Sequence, residues 1–199
     1  MYYVTSVTYF DIIHNTLKSK CYTKEESVTL NNKKLAKDYI VEAFLQLLKK
    51  QKFEDITITD IANKAGITRV TFYRNFNSKE EIIKNHLDNI TDEFIKTSKI
   101  LYNPNDFKNY IIKLFTHLEN NKDIGILLYK AKIFYFLEDE FNRIFFTKAT
   151  NKVEEYHYAF ISGGLYNTYY YWIKNSCKET PQELAEIFNN FYILKGDSN

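Results

Sequence analysis

The sequence predicts an all-α protein of about nine helices in two domains, with no β-sheet. Only 5 of the 199 residues are glycine and 2 are proline, far below the usual ~7% and ~5%, so the chain has few of the residues that turns require. Apolar residues recur at intervals of three and four, which is the spacing of one helix face. Cap-forming residues stand where several of these stripes begin. Folds with many turns, such as β-sandwiches, are therefore not expected.

Charge and hydropathy favour a protein of the cytoplasm. The chain carries 27 Lys and Arg against 25 Asp and Glu, a net charge of +2, so the total alone does not indicate a polyanionic partner. No apolar run approaches the ~18 residues that span a bilayer, and the first residues lack the pattern of a signal peptide. Cys21 and Cys177 stand far apart without an export signal, so we expect two free thiols and no membrane contact.

Residues 1–30 differ from the rest of the chain, because no helical stripe or cap occurs before Asn31. We interpret them as an N-terminal extension, either a poorly ordered tail or an upstream stretch included by the choice of start codon. The first helix is then predicted over residues 33–50, where apolar residues lie on one face. These residues are Ala36, Ile40, Ala43, Phe44, Leu47 and Leu48.

Two short helices are predicted on either side of a glycine. The first follows a capping box formed by Thr57 and Asp60 and ends before Gly66, whose position suits a left-handed C-terminal cap. Thr68 then caps the second, which is predicted over residues 69–75. The spacing of the two helices is that of a helix-turn-helix.

We assign residues 31–78 to a helix-turn-helix domain. In this motif the first helix crosses the DNA backbone, and the second lies in the major groove with its early residues facing base edges. Seven apolar residues are available to pack the helices together: Ile58, Ile61, Ala62, Ala65, Ile67, Val70 and Phe72.

Basic residues are concentrated in the second of these helices. The chain has only three arginines, and two of them, Arg69 and Arg74, lie here. Arginine forms two parallel hydrogen bonds with a guanine edge, which a lysine ammonium does with less defined geometry. Residues 57–79 carry four basic side chains and one acidic one, a local charge of +3. Tyr73 and Lys79 stand where they could reach phosphate oxygens.

Residues 79–199 are predicted to form a C-terminal helical domain. Its first helix starts after the capping pattern of Ser78 and extends to Asn103, where Pro104 opens the next helix. A last helix opens at Thr180, with a proline and a capping-box acid following it. Between them, helices are predicted over residues 124–137, 140–155 (broken) and 160–176.

Residues 33–90 resemble the DNA-binding domain of the TetR family of transcriptional regulators. The resemblance rests on the runs ITDIA at 58–62, AGIT at 65–68, TFYRNF at 71–76 and SKEE at 78–81. The chain departs from the family at residues 51–53, where a glycine often precedes the aromatic residue, and at Asn75, where histidine is common. The resemblance implies DNA contacts from Thr57, Thr59, Thr68, Arg69, Thr71, Tyr73, Arg74, Asn75 and Lys79.

The C-terminal domain resembles a variant of this family that carries Phe-x-x-Gly-Gly, then Trp, then Pro-x-Glu. The matching residues are Phe160, Gly163, Gly164, Trp172, Pro181 and Glu183. Two glycines inside a helix cost ~1 kcal/mol each relative to alanine, so their presence suggests that another backbone approaches closely. A dimer helix is one such neighbour, and the expected interface residues are Phe160, Gly163, Gly164, Trp172 and Phe188.

The resemblance also implies a ligand-binding role for this domain. The tyrosines at 166 and 169–171 could line an inducer pocket, although aromatic residues at helical spacing also serve as core or interface. The candidate ligand residues are Tyr102, His117, Tyr129, Phe134, Tyr166 and Tyr170.

Sequence patterns for catalysis are missing. The chain has no glycine-rich phosphate loop, no Gly-x-Ser-x-Gly elbow and no dinucleotide fingerprint. Glu154 and His157 lack the second pair that a carboxylate-bridged metal site needs. We therefore expect no enzyme activity, no metal and no cofactor.

The expected function is that of a homodimeric transcriptional repressor in the cytoplasm. Two helix-turn-helix heads would bind a near-palindromic operator in double-stranded DNA, and a small-molecule inducer would release it. The alternative is a helical regulator that acts through a partner protein, without a small-molecule effector.

Overall fold

Nine α-helices and no strand form the regular structure of residues 24–98, 106–146 and 149–193, the part of the chain that this computed structural model describes. The predicted all-α fold is confirmed. The chain divides into two units, residues 1–38 and 39–199, and the packing below is that of the second. The helices are α1 (Lys24–Leu48), α2 (Ile58–Ala65), α3 (Arg69–Tyr73), α4 (Lys79–Ser98), α5 (Phe107–Asn120), α6 (Lys122–Lys130), α7 (Phe136–Phe146), α8 (Lys152–Lys174) and α9 (Pro181–Ile193).

The helix-turn-helix consists of α2 and α3, and its local signals act as predicted. Thr57 Oγ1 accepts a hydrogen bond from the amide of Asp60 (3.1 Å), and the Asp60 carboxylate accepts one from the amide of Thr57 (3.0 Å). Gly66 has φ +69°, the left-handed conformation in which the chain can close α2 and turn. Thr68 then caps α3 by accepting from the amide of Thr71 at 3.1 Å.

Helix α1 packs against the motif through its apolar stripe. Ile40 and Phe44 are fully buried and belong to the same core as Phe72 of α3, and Phe44 packs edge-on against Phe53 with ring centroids 6.3 Å apart. The helix begins at Lys24, earlier than the predicted residue 33 and inside the stretch interpreted as an extension.

Helix α4 leads from the helix-turn-helix into the C-terminal domain, where it contacts α5 and α7. Ser78 Oγ caps it by accepting from the amide of Glu81 at 3.2 Å. Its apolar residues Ile83, Leu87 and Phe94 are buried as predicted. Helix α4 is continuous over its 20 residues and so connects the helix-turn-helix directly to the C-terminal domain.

The single helix predicted over residues 124–137 is wrong, because the chain turns at Lys132 between α6 and α7. Lys132 has φ +60°, and the amides of Lys132 and Ile133 donate to the carbonyls of Tyr129 (3.1 Å) and Leu128 (3.0 Å). This is the Schellman pattern of a helix end. Ile133 and Leu128 are both buried, and this burial stabilises a left-handed backbone that costs a non-glycine residue ~1–2 kcal/mol.

The boundaries predicted for the next two helices are also wrong. The helix predicted over residues 140–155 ends as α7 at Phe146, and α8 starts at Lys152 rather than at residue 160. Asn151 sets this start, because its Oδ1 accepts a hydrogen bond from the amide of Glu154 at 3.1 Å.

The start of α9 agrees with the prediction. Thr180 Oγ1 accepts from the amide of Glu183 (3.2 Å), and the Glu183 carboxylate accepts from the amide of Thr180 (2.7 Å). The predicted cap at Asn103 and Pro104 lies outside the described residues.

The C-terminal domain is packed around Trp172 of α8. The residue is 1% exposed, its ring packs edge-on against Phe115 (centroids 5.6 Å apart), and Nε1 donates to the carbonyl of Glu179 at 2.9 Å. The expectation that Trp172 lies in a dimer interface is therefore wrong, because the core of its own chain already covers it.

Gly125 is the place where α6 and α8 approach most tightly in this core. A Cβ built on Gly125 would lie 2.1 Å from Tyr169 Oη and 3.2 Å from Ile173 Cδ1. Both neighbours belong to buried side chains, so neither can move aside freely.

We expect Gly125→Ala to destabilise the protein by about 1–3 kcal/mol through overpacking against Tyr169, measured by urea unfolding. Tyr169→Phe removes the oxygen nearest to the new methyl group. The double variant should therefore lose less stability than the sum of the single variants. Additive losses would show that the two residues do not meet in this way.

Candidate nucleic-acid interface and central cavity

Helix α3 presents a basic face outside the core. Phe72 is fully buried and anchors the helix, and its ring packs edge-on against that of Tyr73 with centroids 5.5 Å apart. Arg69, Tyr73 and Arg74 are exposed, and so is Thr68 at the start of the helix. Two guanidinium groups and two hydroxyl-bearing side chains are thus available to a ligand on one short helix.

Val70 belongs to this exposed face, contrary to its predicted role in packing. Its side chain is 62% exposed. Successive helical residues are about 100° apart, so Val70 points roughly 200° away from the buried Phe72. An exposed valine next to Arg69 is an apolar group that can contact a thymine methyl. The helical phase set by Phe72 is the signal in the sequence that distinguishes Val70 from the packing residues.

Asn75 and Thr71, both expected to contact DNA, hydrogen-bond within their own helix. Asn75 is half-buried, its Nδ2 donates to the carbonyl of Thr71 (2.8 Å), and its Oδ1 is buried without a hydrogen-bond partner. The hydroxyl oxygens of Thr71 and Thr68 are hydrogen-bonded at 3.0 Å. This geometry suits Asn75 to closing the end of α3 better than to reading a base.

Thr57 and Thr59, at the start of α2, are both exposed. The Thr57 hydroxyl donates to the Asp60 carboxylate at 2.6 Å. Hydrogen bonds from Thr57 hold the pKa of Asp60 below its ordinary value, so a negative charge stays at the positive end of the helix. Thr59 has no such capping role, and its exposed side chain fits the expected contact.

Lys79, expected to bind a phosphate, is engaged within the protein. Its ammonium donates to the carbonyls of Phe53 (2.6 Å), Glu54 (3.1 Å) and Ile56 (3.0 Å), and it lies 4.5 Å from the centroid of the Phe53 ring. An ammonium has three donors, and all three are used. Lys79 therefore fastens the first residue of α4 to the loop before α2, and its side chain is poorly placed to bind a phosphate.

A small cavity, which we call the central cavity, lies among α4 to α8. Its volume is about 40 Å³. One water molecule needs ~10–15 Å³, so the cavity has room for a ligand of a few heavy atoms. The walls are mainly apolar, with polar groups contributed by Thr91, His117, Asn121, Glu140 and Tyr169.

Two of the ionisable groups on the wall of this cavity are Glu140 and His117. Glu140 is 7% exposed, and burial raises the pKa of its carboxyl group although hydrogen bonds from Thr91 and Arg143 oppose the shift. Burial lowers the pKa of His117, which favours the neutral ring. His117 packs against Phe94 with ring centroids 5.2 Å apart, and its Nε2 is buried without a hydrogen-bond partner.

Arg143 connects the wall of the cavity to α4. Its guanidinium binds the carboxylates of Glu140 (2.9 Å) and Asp92 (2.8 Å) and donates to the carbonyl of Asp88 at 3.2 Å. The sequence analysis missed this network. Arg143 is the one arginine outside the helix-turn-helix domain, and lysine supplies every other basic residue there. A branched, planar donor at one position indicates a geometry that lysine cannot supply.

Most of the predicted ligand residues lie elsewhere. Tyr129, Phe134, Tyr166 and Tyr170 pack against one another between the α6–α7 connection and α8, with ring centroids 5.3 to 5.7 Å apart. Tyr102 lies outside the described residues. Among the predicted ligand residues that the structure describes, only His117 lines the central cavity. Tyr169, from the group of tyrosines at 166 and 169–171, lines it too.

Helix α8 has a second apolar face opposite the one that contributes to the core. Phe160 is 77% exposed, and a Cβ built on Gly163 or Gly164 would meet nothing within 4 Å. Phe188, by contrast, is half-buried and packs against Phe107 with centroids 5.9 Å apart. The residues of this face recur at intervals of three and four: Val153, Tyr156, Phe160, Gly163 or Gly164, Asn167 and Tyr171.

Two family models match the chain and together cover both domains. Residues 40–85 match a family described as "Bacterial regulatory proteins, tetR family". Residues 105–193 match one described as "Transcriptional regulator C-terminal region". The chain belongs to the TetR family of transcriptional regulators. As expected from the sequence, both descriptions are of transcriptional regulators.

Two named relatives of the TetR-family protein are also regulators. It is 36% identical over 72 residues to the HTH-type transcriptional regulator YxbF of Bacillus subtilis (strain 168). The matched region covers 36% of this chain and 19% of YxbF. It is also 27% identical over 128 residues to DhaS of Lactococcus lactis subsp. lactis (strain IL1403), which is named a dhaKLM operon transcriptional activator. That match covers 63% of this chain and 64% of DhaS. The chain thus spans less than two thirds of either relative.

A solved structure has the same arrangement of helices as the TetR-family protein. The crystal structure of Lin0861 from Listeria innocua superposes with a TM-score of 0.62 at 12% sequence identity, covering 81% of this chain and 91% of that one. This likeness supports the fold. None of the helices in the described residues is long and apolar enough to span a bilayer.

We expect Lys79→Met to lower the free energy of unfolding by about 1–3 kcal/mol, because three carbonyls lose a charged donor while the aliphatic stem is kept. Urea unfolding would measure it. Lys84→Met is the matched control on the same helix, since Lys84 forms only an exposed ion pair with Asp139 at 3.4 Å and such pairs contribute ~0–1 kcal/mol. Equal losses in the two variants would contradict the role given to Lys79.

Proposed function

We propose that this TetR-family protein is a repressor that binds a near-palindromic operator as a homodimer and is released when a small molecule occupies the central cavity. The observation that carries the DNA-binding part is the exposed face of α3. Arg69, Val70 and Arg74 are exposed, and they project from a helix that the buried Phe72 anchors. Burial in the core therefore does not explain why a valine stands between these basic residues. As a DNA-binding protein, it would act in the cytoplasm.

Helix α8 supports the dimer. One of its faces is buried in the core, and the opposite face exposes Phe160 and Tyr171 around the open space at Gly163 and Gly164. A helix that is apolar on both sides needs a cover on each. A second copy of α8 would cover the outer face, and the glycines would let the two backbones approach.

The dimer sets the form of the operator. Two copies of α3 related by a twofold axis would bind two half-sites whose centres lie ~34–36 Å apart or at a multiple of that distance. Arg69 and Arg74 would contact guanine edges or phosphates, and Val70 a thymine methyl. Thr59, Thr68 and Tyr73, also exposed, would bind the DNA backbone.

Helix α4 supplies a route for release. Leu87, Thr91 and Phe94 of α4 line the central cavity, while Asp88 and Asp92 on the same helix interact with Arg143 of α7. A ligand that changes how α7 holds α4 would favour a separation of the two heads that fits DNA poorly. DNA and ligand would then weaken each other's binding by the same factor.

A second candidate is regulation by a partner protein without a small molecule. The small volume of the central cavity, about 40 Å³, favours it, because most small-molecule sites are several times larger. The sign of regulation is also open to test, since the relative DhaS is named an activator. A reporter fused to the operator would report repression as a higher signal when the gene for this protein is deleted, and activation as a lower one.

We expect Arg69→Ala to cost about 1–3 kcal/mol of operator binding and to relax the preference for one base pair in each half-site. The operator would first be selected from random duplexes, and affinities for all single-base variants then compared. Lys113→Ala, an exposed lysine on α5, is the control and should change neither affinity nor preference. An unchanged base preference in Arg69→Ala would exclude direct readout by this residue.

We expect Phe160→Glu to convert the dimer to a monomer, because it places two charges in the proposed α8 contact without a partner. Sedimentation velocity would measure the state, and operator affinity should fall with it. Tyr135→Glu alters another exposed aromatic residue, which lies away from α8, and should leave the dimer intact. A dimeric Phe160→Glu variant would contradict the proposed interface.

A further inference from the structure

Two of the polar groups on the wall of the central cavity, His117 and Glu140, offer buried hydrogen-bond acceptors. His117 hydrogen-bonds to the backbone of Ile90 through one ring nitrogen, and its Nε2 is buried without a partner. A nitrogen that faces a carbonyl carries the proton, so Nδ1 is the donor and Nε2 of the neutral ring presents a lone pair. Burial favours that neutral form.

Glu140 adds a second acceptor that is almost fully buried. One of its oxygens, Oε2, binds the Arg143 guanidinium at 2.9 Å, and Thr91 also hydrogen-bonds to the carboxylate. A carboxylate has about four acceptor positions, so capacity remains. Thr91, whose proton is used by Glu140, offers only its oxygen lone pairs to a ligand.

The charge around the cavity is negative. Arg143 lies within 4 Å of three carboxylates, those of Asp88, Asp92 and Glu140. Lys96 lies 4.0 Å from Asp92, so two positive charges face three negative ones. In a partly desolvated site a surplus of negative charge attracts a cation strongly and repels an anion.

The remaining walls suit a small organic cation rather than a hydrated metal ion. Phe94 and Phe141 present aromatic rings and Ile144 an aliphatic chain, and ring faces attract cations. A hard metal ion prefers several oxygen ligands, and the described residues contain no group of three or more His, Cys, Asp or Glu side chains placed to hold one. The volume of about 40 Å³ limits the ligand to a few heavy atoms.

We propose that the central cavity binds a small primary alkylammonium ion, of the size of methylammonium or ethylammonium, which donates hydrogen bonds to Glu140 and to Nε2 of His117. This inference rests on the proposed function, in which the cavity is the effector site. The ammonium competes with Arg143 for Glu140. Occupation of the cavity therefore weakens the hold of α7 on α4 and with it the placement of the heads on DNA.

Binding is measured first without DNA, by calorimetry and by the shift in melting temperature of the dimeric protein. The probes are methylammonium and ethylammonium chloride, compared with sodium chloride at equal ionic strength and with ethanol and acetate as neutral and anionic analogues. We expect saturable binding of the ammonium ions only. Binding of ethanol or acetate with similar affinity, or no binding of either ammonium ion, would overturn the assignment.

Two variants test the residues. Glu140→Gln should weaken ammonium binding about tenfold or more, because a charge-assisted hydrogen bond is lost, and His117→Phe should weaken it less while keeping the contact with Phe94. Glu138→Gln, an exposed position on α7, is the matched control and should bind as the unmodified protein does. If Glu140→Gln does not fold, His117→Phe and the ethanol comparison still decide. Unchanged binding in folded Glu140→Gln or in His117→Phe would contradict the proposal.

Operator affinity is then measured with and without a saturating ammonium ion. A loss of affinity that is absent in Glu140→Gln is the expected result. Ammonium binding with unchanged operator affinity would leave the ligand class in place and contradict the release step of the proposed function. Operator binding without any ammonium binding would contradict the ligand class alone.

Discussion

The contact between Arg143 and α4 fixes the helix that leads from the helix-turn-helix into the rest of the C-terminal domain. One guanidinium binds Asp92 at 2.8 Å and the carbonyl of Asp88 at 3.2 Å on α4, and Glu140 at 2.9 Å on α7. At the other end of α4, Lys79 donates to three carbonyls of the loop that precedes α2. Arg143 therefore holds α4 against α7, and Lys79 holds it against the loop that precedes the helix-turn-helix. Both cations donate their hydrogen bonds within the protein.

These two contacts do different physical work. The three carbonyls that Lys79 binds are neutral, so its ammonium is held by a compact cage that a point charge with three donors fits well. Arg143 instead faces three carboxylates in a partly buried position, where charges stabilise a structure only when their geometry is good and their hydrogen bonds are made. Glu140 belongs both to this cluster and to the wall of the central cavity. A ligand in the cavity would therefore contact the carboxylate that also binds Arg143.

The features that could be predicted from the sequence are those that local chemistry decides. The capping boxes at Thr57 and Thr180 and the left-handed turn at Gly66 involve residues within a few positions of each other, and all three occur as predicted. The turn at Lys132 has the same hydrogen bonds as the turn at Gly66, yet no glycine marks it, because the burial of Ile133 by distant helices decides it.

The same division holds for the candidate site. The helix-turn-helix and the basic face of α3 follow from spacing and charge, whereas the direction of a side chain depends on its tertiary neighbours. Lys79 and Asn75 are residue types that often contact DNA, but here their side chains bind backbone carbonyls. Trp172 matches a motif expected at the dimer interface, but it lies in the core. The central cavity brings together five helices, and no spacing along the chain indicates that His117 and Glu140 share a wall.

The proposed coupling between ligand and DNA requires that α3 reads base sequence. The most direct test compares the affinity of the unmodified protein for its selected operator with that for a random duplex of equal length, at two salt concentrations. Phosphate contacts alone give sequence-independent binding that falls steeply as salt rises. The account predicts an operator affinity more than about a thousandfold higher than that for random DNA, with the preference kept at the higher salt. Equal affinities for the two duplexes, falling together as salt rises, would contradict it.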